Sequence, residues 1–170
     1  GVIANLEFAP NGFDLALTLA NATEPSDVYV LGVEDRKLVR WTQSEIGDVD
    51  GGTFRIPRLV RYETFDQVDG KPRTIPAFYY QPEGKGPFPP VLYVHARRGY
   101  EDPDRAHIRE LAAQGFLVVA PDWQSGRFIE RWPRAHDPAT EVDVEAALDA
   151  LLARPEACKG PAGIVGYSRG

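Results

Sequence analysis

Three short runs, PPVLYVHA at 89–96, FLVVAPD at 116–122 and AGIVG at 162–166, are apolar at successive positions rather than at every second one. A strand that reads this way is buried on both faces, which antiparallel surface sheets rarely require and parallel sheets flanked by helices do. The segments between the runs carry helical periodicity. Asp102 and Pro103 suit an N-cap and first helical residue, Ile108, Leu111 and Ala112 form a stripe, and Gly115 closes it. Further on, Thr140 and Asp143 have the spacing of a capping box, and Val144, Ala147, Leu148, Leu151 and Leu152 follow i, i+3, i+4, i+7, i+8. Ahead of these, RLVRYETF and TIPAFYYQP flank Asp69-Gly70 as a β-hairpin with a longer loop. Hairpin, strand, helix, strand, helix, strand is the opening of an α/β domain with a mainly parallel sheet.

Residues 1–42 follow different rules. VIANLEF, FDLALTLA, DVYVLGV and KLVRWT are short apolar runs separated by turn residues, and FDLALTLA alternates with period two. They predict a four-stranded antiparallel meander. Such a unit leaves two faces and two edges to be covered, and the β-propeller blade is one architecture built from it. Residues 43–57 read as a linker and 58–170 as the α/β portion. Asp48-Val49-Asp50-Gly51 lacks the third acidic position and distal glutamate of a calcium loop, so it reads as a solvated turn. Asn21-Ala22-Thr23 matches a glycosylation acceptor, which matters only in a secreted eukaryotic protein.

Bulk properties exclude several partners. A formal charge of −6 argues against a nucleic-acid backbone, and no window approaches the apolar length of a membrane span. One cysteine, Cys158, rules out an internal disulfide and fits a reducing, cytoplasmic setting. The first residues, GVIANLEFAP, lack signal-peptide order and read as the middle of a domain.

In an open α/β sheet, chemistry collects at the carboxyl ends of the strands. Three segments arrive there: His95 to Gly99, Asp122 to Gly126 and Gly166 to Gly170. The last, GYSRG, has the spacing of a nucleophile elbow, with Gly166 and Gly170 allowing the tight turn and Ser168 pushed outward. In hydrolases of this type the residue after the nucleophile and the loop after an earlier strand each give an N–H to the oxyanion. That assigns Arg169 one donor and the neighbourhood of Ala96 or Arg97 the other, with His95 bracing the loop and not serving as base. His107 reads as a partly exposed surface histidine. His136 lies in an irregular stretch with nothing to orient it, and Asp122 reads as a turn former.

With these residues in view the chain resembles the prolyl oligopeptidase family of serine peptidases, including acylaminoacyl-peptidase-like members. LEFAPNGFDLAL, PSDVYVL and LVRWTQS are similar to that family's last propeller blade, and RLVRYETFD with IPAFYYQPEGKGPFPPVLYVH to its entry into the hydrolase domain. The resemblance implies that Ser168 attacks a peptide or small acyl substrate. It also implies that propeller and hydrolase segments beyond this stretch are its partners, and that the catalytic aspartate and histidine lie downstream of Gly170. These 170 residues are then expected to be inactive alone. No metal or organic cofactor is implied. Ala96 and Arg97 replace two glycines of the family's His-Gly-Gly, so side chains are expected where backbone should approach substrate. From residue 91 onward the sequence is similar also to dienelactone hydrolases. An ester or lactone hydrolase, and a non-catalytic binding protein of the same fold, are the alternative readings.

Overall fold

Continuous apolar strands need cover above and below, and in the computed structural model, which describes residues 1–45, 47 and 55–168, the second half of the chain provides it. The chain divides into two units, Gly1–Ile56 and Pro57–Gly170.

The first unit is a meander of β1 (Val2–Phe8), β2 (Asp14–Ala20), β3 (Asp27–Gly32) and β4 (Leu38–Arg40), paired antiparallel in sequence order. A register shift between Ala4 and Glu7 accompanies the left-handed backbone of Asn5. Leu17 and Tyr29 are buried, whereas Ile3, Leu6, Phe8, Phe13 and Trp41 are exposed. Asn21 is fully engaged in its turn: its Oδ1 accepts from the N–H groups of Thr23 and Glu24, and its amide donates to Glu24. The Asp48–Gly51 turn read from the sequence lies outside the described residues.

The firmest polar feature of this unit is Asp27, which is buried and accepts from Arg40, the Thr42 hydroxyl (2.7 Å), and the Ser44 N–H (2.8 Å) and hydroxyl (3.0 Å). The Thr42 hydrogen bond foremost, with those of Arg40 and Ser44, outweighs burial and holds this carboxyl at about 2, below its ordinary 3.8. A depressed carboxylate pKa contributes stability that is complete above the unfolded value and disappears as pH falls through the folded one. The stability advantage of the wild type over Asp27→Asn is therefore expected to shrink steadily as the pH is lowered from about 5 to about 2. Thermal unfolding of both proteins across that range measures it, and a constant difference would contradict the assignment.

The second unit is a five-stranded sheet in the order β5-β6-β8-β7-β9, made of β5 (Arg58–Val68), β6 (Lys71–Tyr80), β7 (Pro90–Val94), β8 (Leu117–Pro121) and β9 (Gly163–Gly166). The helices are α1 (Asp102–Ala113), α2 (Trp123–Arg127) and α3 (Ala139–Leu152). The sheet is mixed rather than mainly parallel. β7 is parallel to β8 and β9, while β5 with β6 and β6 with β8 run antiparallel, because the hairpin supplies two of the five strands. Val68 pairs with Lys71, so the hairpin loop is only Asp69-Gly70, both left-handed, and is shorter than expected.

Alternate residues of the buried strands face opposite layers. Leu92, Val94, Leu117 and Val119 pack with Ala147 and Leu151 of α3, and Val91, Tyr93, Val118 and Ala120 with Ile108 and Ala112 of α1. β9 departs from the buried strand expected of AGIVG. It forms the sheet edge, pairs only with β7, and leaves Ile164 64% exposed. No described helix is long and apolar enough to cross a membrane.

Two helix starts differ from their sequence reading. α1 is capped by Glu101, one residue before Asp102, because Asp104 reaches back to accept the Glu101 N–H at 2.9 Å. α3 has no Thr140–Asp143 capping box: the Thr140 hydroxyl donates to the Asp137 carbonyl, and Asp143 turns inward to Arg127 and to the Thr64 hydroxyl. α2 occupies part of the stretch read as irregular.

Candidate functional site

The parallel strands β8, β7 and β9 deliver their carboxyl ends to one edge of the sheet, with β7 in the middle. Val94 is the register partner of Gly166. Both strands end at that pair, so the His95–Gly99 turn and the Tyr167–Ser168 segment leave the sheet from neighbouring strands, about 4.8 Å apart. Ser168 is exposed, and its φ of 58° lies in the left-handed region. A serine there is strained by about 1–3 kcal/mol, a cost that recurs at active sites. Arg169 and Gly170, read from the sequence as oxyanion donor and turn glycine, lie outside the described residues.

His95, at the end of β7, is fully buried. Its ring stacks on Trp123 at 4.8 Å, and its Nδ1 lies 2.8 Å from the Ala96 carbonyl oxygen. A carbonyl only accepts, so Nδ1 carries the proton. Burial, partly offset by that bond, holds the imidazole below its ordinary pKa and hence neutral. Its Nε2 has no hydrogen bond and stands 3.9 Å from Asp122 Oδ1. Asp122 caps α2, accepting from the Ser125 N–H (3.2 Å) and hydroxyl (2.7 Å), and so forms a turn as its place after Pro121 suggested.

The His95–Gly99 segment is a tight turn closed by the Gly99 N–H on the Ala96 carbonyl at 3.0 Å. The sequence led us to expect the side chains of Ala96 and Arg97 where backbone should approach substrate; Ala96 is buried. The Arg97 guanidinium lies over the Trp132 ring at 5.3 Å, and Arg98 is drawn to Asp104 (2.7 Å) and Glu101 (3.2 Å). Both side chains are held by charge or π contacts on neighbouring segments.

The other two histidines are engaged elsewhere. His107 is half-buried, with Nδ1 3.1 Å from the Tyr167 hydroxyl and its ring edge-on to Tyr93. His136, for which the sequence offered no orienting partner, has Nε2 2.7 Å from Glu141 Oε1. A cavity of about 390 Å³ brings Arg97, Trp123, His136, Val144 and Ile164 together, and Ser168 lies outside its wall. Among the described residues no three His, Cys, Asp or Glu side chains converge to hold a metal ion.

Sequence reasoning missed Gln124 and Trp132, both of which bond the Arg97 carbonyl. It also missed the pair Arg127–Asp143. The only signal for Gln124 was its position in the first turn after a buried strand, at the edge where function collects.

No protein-family model and no curated protein matches the chain. Solved structures do. An acylaminoacyl peptidase from Pyrococcus horikoshii matches 98% of the chain with a TM-score of 0.69 at 20% identity. Prolyl endopeptidases match 100% with a TM-score of 0.68 at 18% identity, and a puromycin-hydrolysing peptidase from Mycobacterium tuberculosis 92% with 0.67 at 19%. The chain thus has the fold of part of these peptidases, in line with the resemblance read from its motifs. It spans about a quarter of their length, 27%, 26% and 26% respectively.

Proposed function

We propose that this chain is the propeller-to-hydrolase junction of a serine peptidase of the prolyl oligopeptidase type, and that Ser168 is its nucleophile. The observation that carries this reading is the left-handed backbone of an exposed Ser168, two residues after β9, a parallel strand paired with β7. Attack by Ser168 Oγ on an acyl carbon would form an acyl-enzyme, and N–H groups of the 96–98 turn, with that of Arg169, would take the negative charge. The first unit is read as a propeller blade on the strength of its four-stranded meander.

A base must accept the serine proton. His95 is buried with its protonated Nδ1 on Ala96, His107 is bonded to Tyr167 and His136 to Glu141. Among the described residues no histidine is hydrogen-bonded to Ser168, which supports a base from elsewhere in the full-length protein, and with it no turnover by this chain alone. The test is labelling of the full-length protein by a fluorophosphonate probe, with the modified residue located by mass spectrometry. Modification of Ser168 is expected, and a folded protein that stays unlabelled would overturn the assignment.

A further inference from the structure

We infer that Gln124 is the positioning residue of the oxyanion turn, fixing the Arg97–Arg98 peptide so that its N–H faces the substrate. The inference rests on the reading of Ser168 as nucleophile and goes beyond it by assigning what builds the hole in a turn that carries no glycine at 96 or 97.

Two consecutive carbonyls of the turn are each held by two donors. The Ala96 oxygen accepts from the Gly99 N–H at 3.0 Å and the His95 Nδ1–H at 2.8 Å. The Arg97 oxygen accepts from Gln124 Nε2 at 2.8 Å and the Trp132 N–H at 3.0 Å. In a trans peptide the N–H points opposite the C=O of the same unit. With both carbonyls committed to donors of the protein, the N–H groups of Arg97 and Arg98 are each directed away from the donors that hold the carbonyl of the same peptide. The Arg98 N–H, opposite the carbonyl that Gln124 and Trp132 hold, is thereby fixed, and a fixed N–H is what a developing oxyanion needs.

Gln124 is suited to this task. It is 3% exposed, so its amide is bonded inside the protein and not to solvent. Its Oε1 lies against Gly99, where a Cβ would come within 3.1 Å, and Gly99 has a φ of 97° that favours glycine independently. The helix that carries it is seated tightly, since a Cβ on Gly126 would come within 2.6 Å of Ile75. The amide therefore spans the turn from Gly99 to Arg97 on a rigid base. Without its donor, only the Trp132 N–H holds the Arg97 carbonyl. A flip of that peptide would then turn an oxygen, in place of an N–H, toward the developing negative charge.

The experiment uses the full-length enzyme. Gln124→Glu keeps the shape and removes the donor, and Gln124→Leu removes all hydrogen bonding. Either is expected to lower kcat about 100-fold, the scale of losing or misplacing one oxyanion donor, with KM changed less than about threefold. Affinity for a peptide aldehyde, which forms a hemiacetal oxygen on the nucleophile, should fall in parallel with kcat/KM, whereas affinity for the matching alcohol should not. A merely structural role would move the two ligands together. Should the leucine variant fail to fold, the near-isosteric glutamate variant carries the test. Unchanged kcat in a folded variant, or a loss confined to KM, overturns the inference while leaving the nucleophile in place. Failure of fluorophosphonate to label wild-type Ser168 overturns the nucleophile reading and this inference with it.

Discussion

Arg127→Ala is expected to destabilise the α/β unit by about 3–5 kcal/mol, the usual cost of stranding one member of a buried ion pair. Arg127 has 9% of its side chain exposed and Asp143 none. The guanidinium binds Asp143 through both Nε and Nη2, reaches Asp66 at 3.3 Å, and covers the Phe65 ring at 5.1 Å. Its pKa is raised, chiefly by the Asp143 hydrogen bonds, so it stays charged across any practical pH. Removing it leaves the Asp143 carboxylate in the interior with the Thr64 hydroxyl at 2.6 Å as its remaining side-chain partner. At a urea dependence of about 1–3 kcal/mol per molar, the unfolding midpoint should fall by more than 1 M. Arg127→Lys should recover only part of this, because an ammonium cannot make the paired contact. Replacing both partners by apolar residues of similar volume should recover most of it. A shift below about 1 kcal/mol for the single variant would show that water reaches the carboxylate.

Ser168→Gly in the full-length protein is expected to lower kcat by about 10⁶, the scale of removing the nucleophile from a catalytic triad. The same variant should be as stable as the wild type or more so, by about 1 kcal/mol. Glycine takes a φ of 58° without the clash that serine bears there. Ser168→Ala should lose as much activity and gain no stability. The opposed signs for glycine distinguish a strained residue kept for chemistry from one kept for structure. A fall in stability with activity retained would reverse the interpretation. Steady-state assays on a peptide anilide, together with urea unfolding, read both quantities.

The sheet was legible where burial is enforced by neighbours on both sides. PVLYV and LVVAP announce β7 and β8 because every residue in them is packed. GIVG has the same look, yet β9 is an exposed edge, since a four-residue apolar run records what the strand could tolerate and not what covers it. Prolines 72 and 76 interrupt the hairpin's alternation and hid how close to the Asp69-Gly70 turn its strands run. WQSGR, with serine and glycine inside it, has weak helical propensity, and its single turn is held by the Asp122 cap. Asp143 has cap-like spacing from Thr140, but a partner sixteen residues earlier, Arg127, claims it.

The site divides in the same way. Ser168 and His95 stand in local patterns that can be read from a few letters. Gln124 and Trp132 act on the carbonyl of another segment, and a contact made by backbone leaves no mark on the residue it touches. The replacement of glycines by Ala96 and Arg97 looked like damage to the turn. In the structure Ala96 is buried and Trp132 lies beneath the Arg97 guanidinium, contacts with other segments that those letters do not announce.

The order of the strands also dictates when such a site can exist. β5 with β6, and β7 with β8, join segments near one another along the chain, whereas β7 with β9 joins residues as remote as Val91 and Gly163. Closing that span costs the most chain entropy of any pairing in the sheet, and the contacts that reward it require α1, β8 and α3 to be in place first. The strand that leads into Ser168 is therefore expected to be the last to dock. If Ser168 is the nucleophile proposed above, a nascent or partly unfolded chain carries it as an ordinary serine, and its reactivity would arrive only with completed topology. On that reading the order of docking is a safeguard: the nucleophile would come into being only after the protein has ceased to be an unfolded substrate itself.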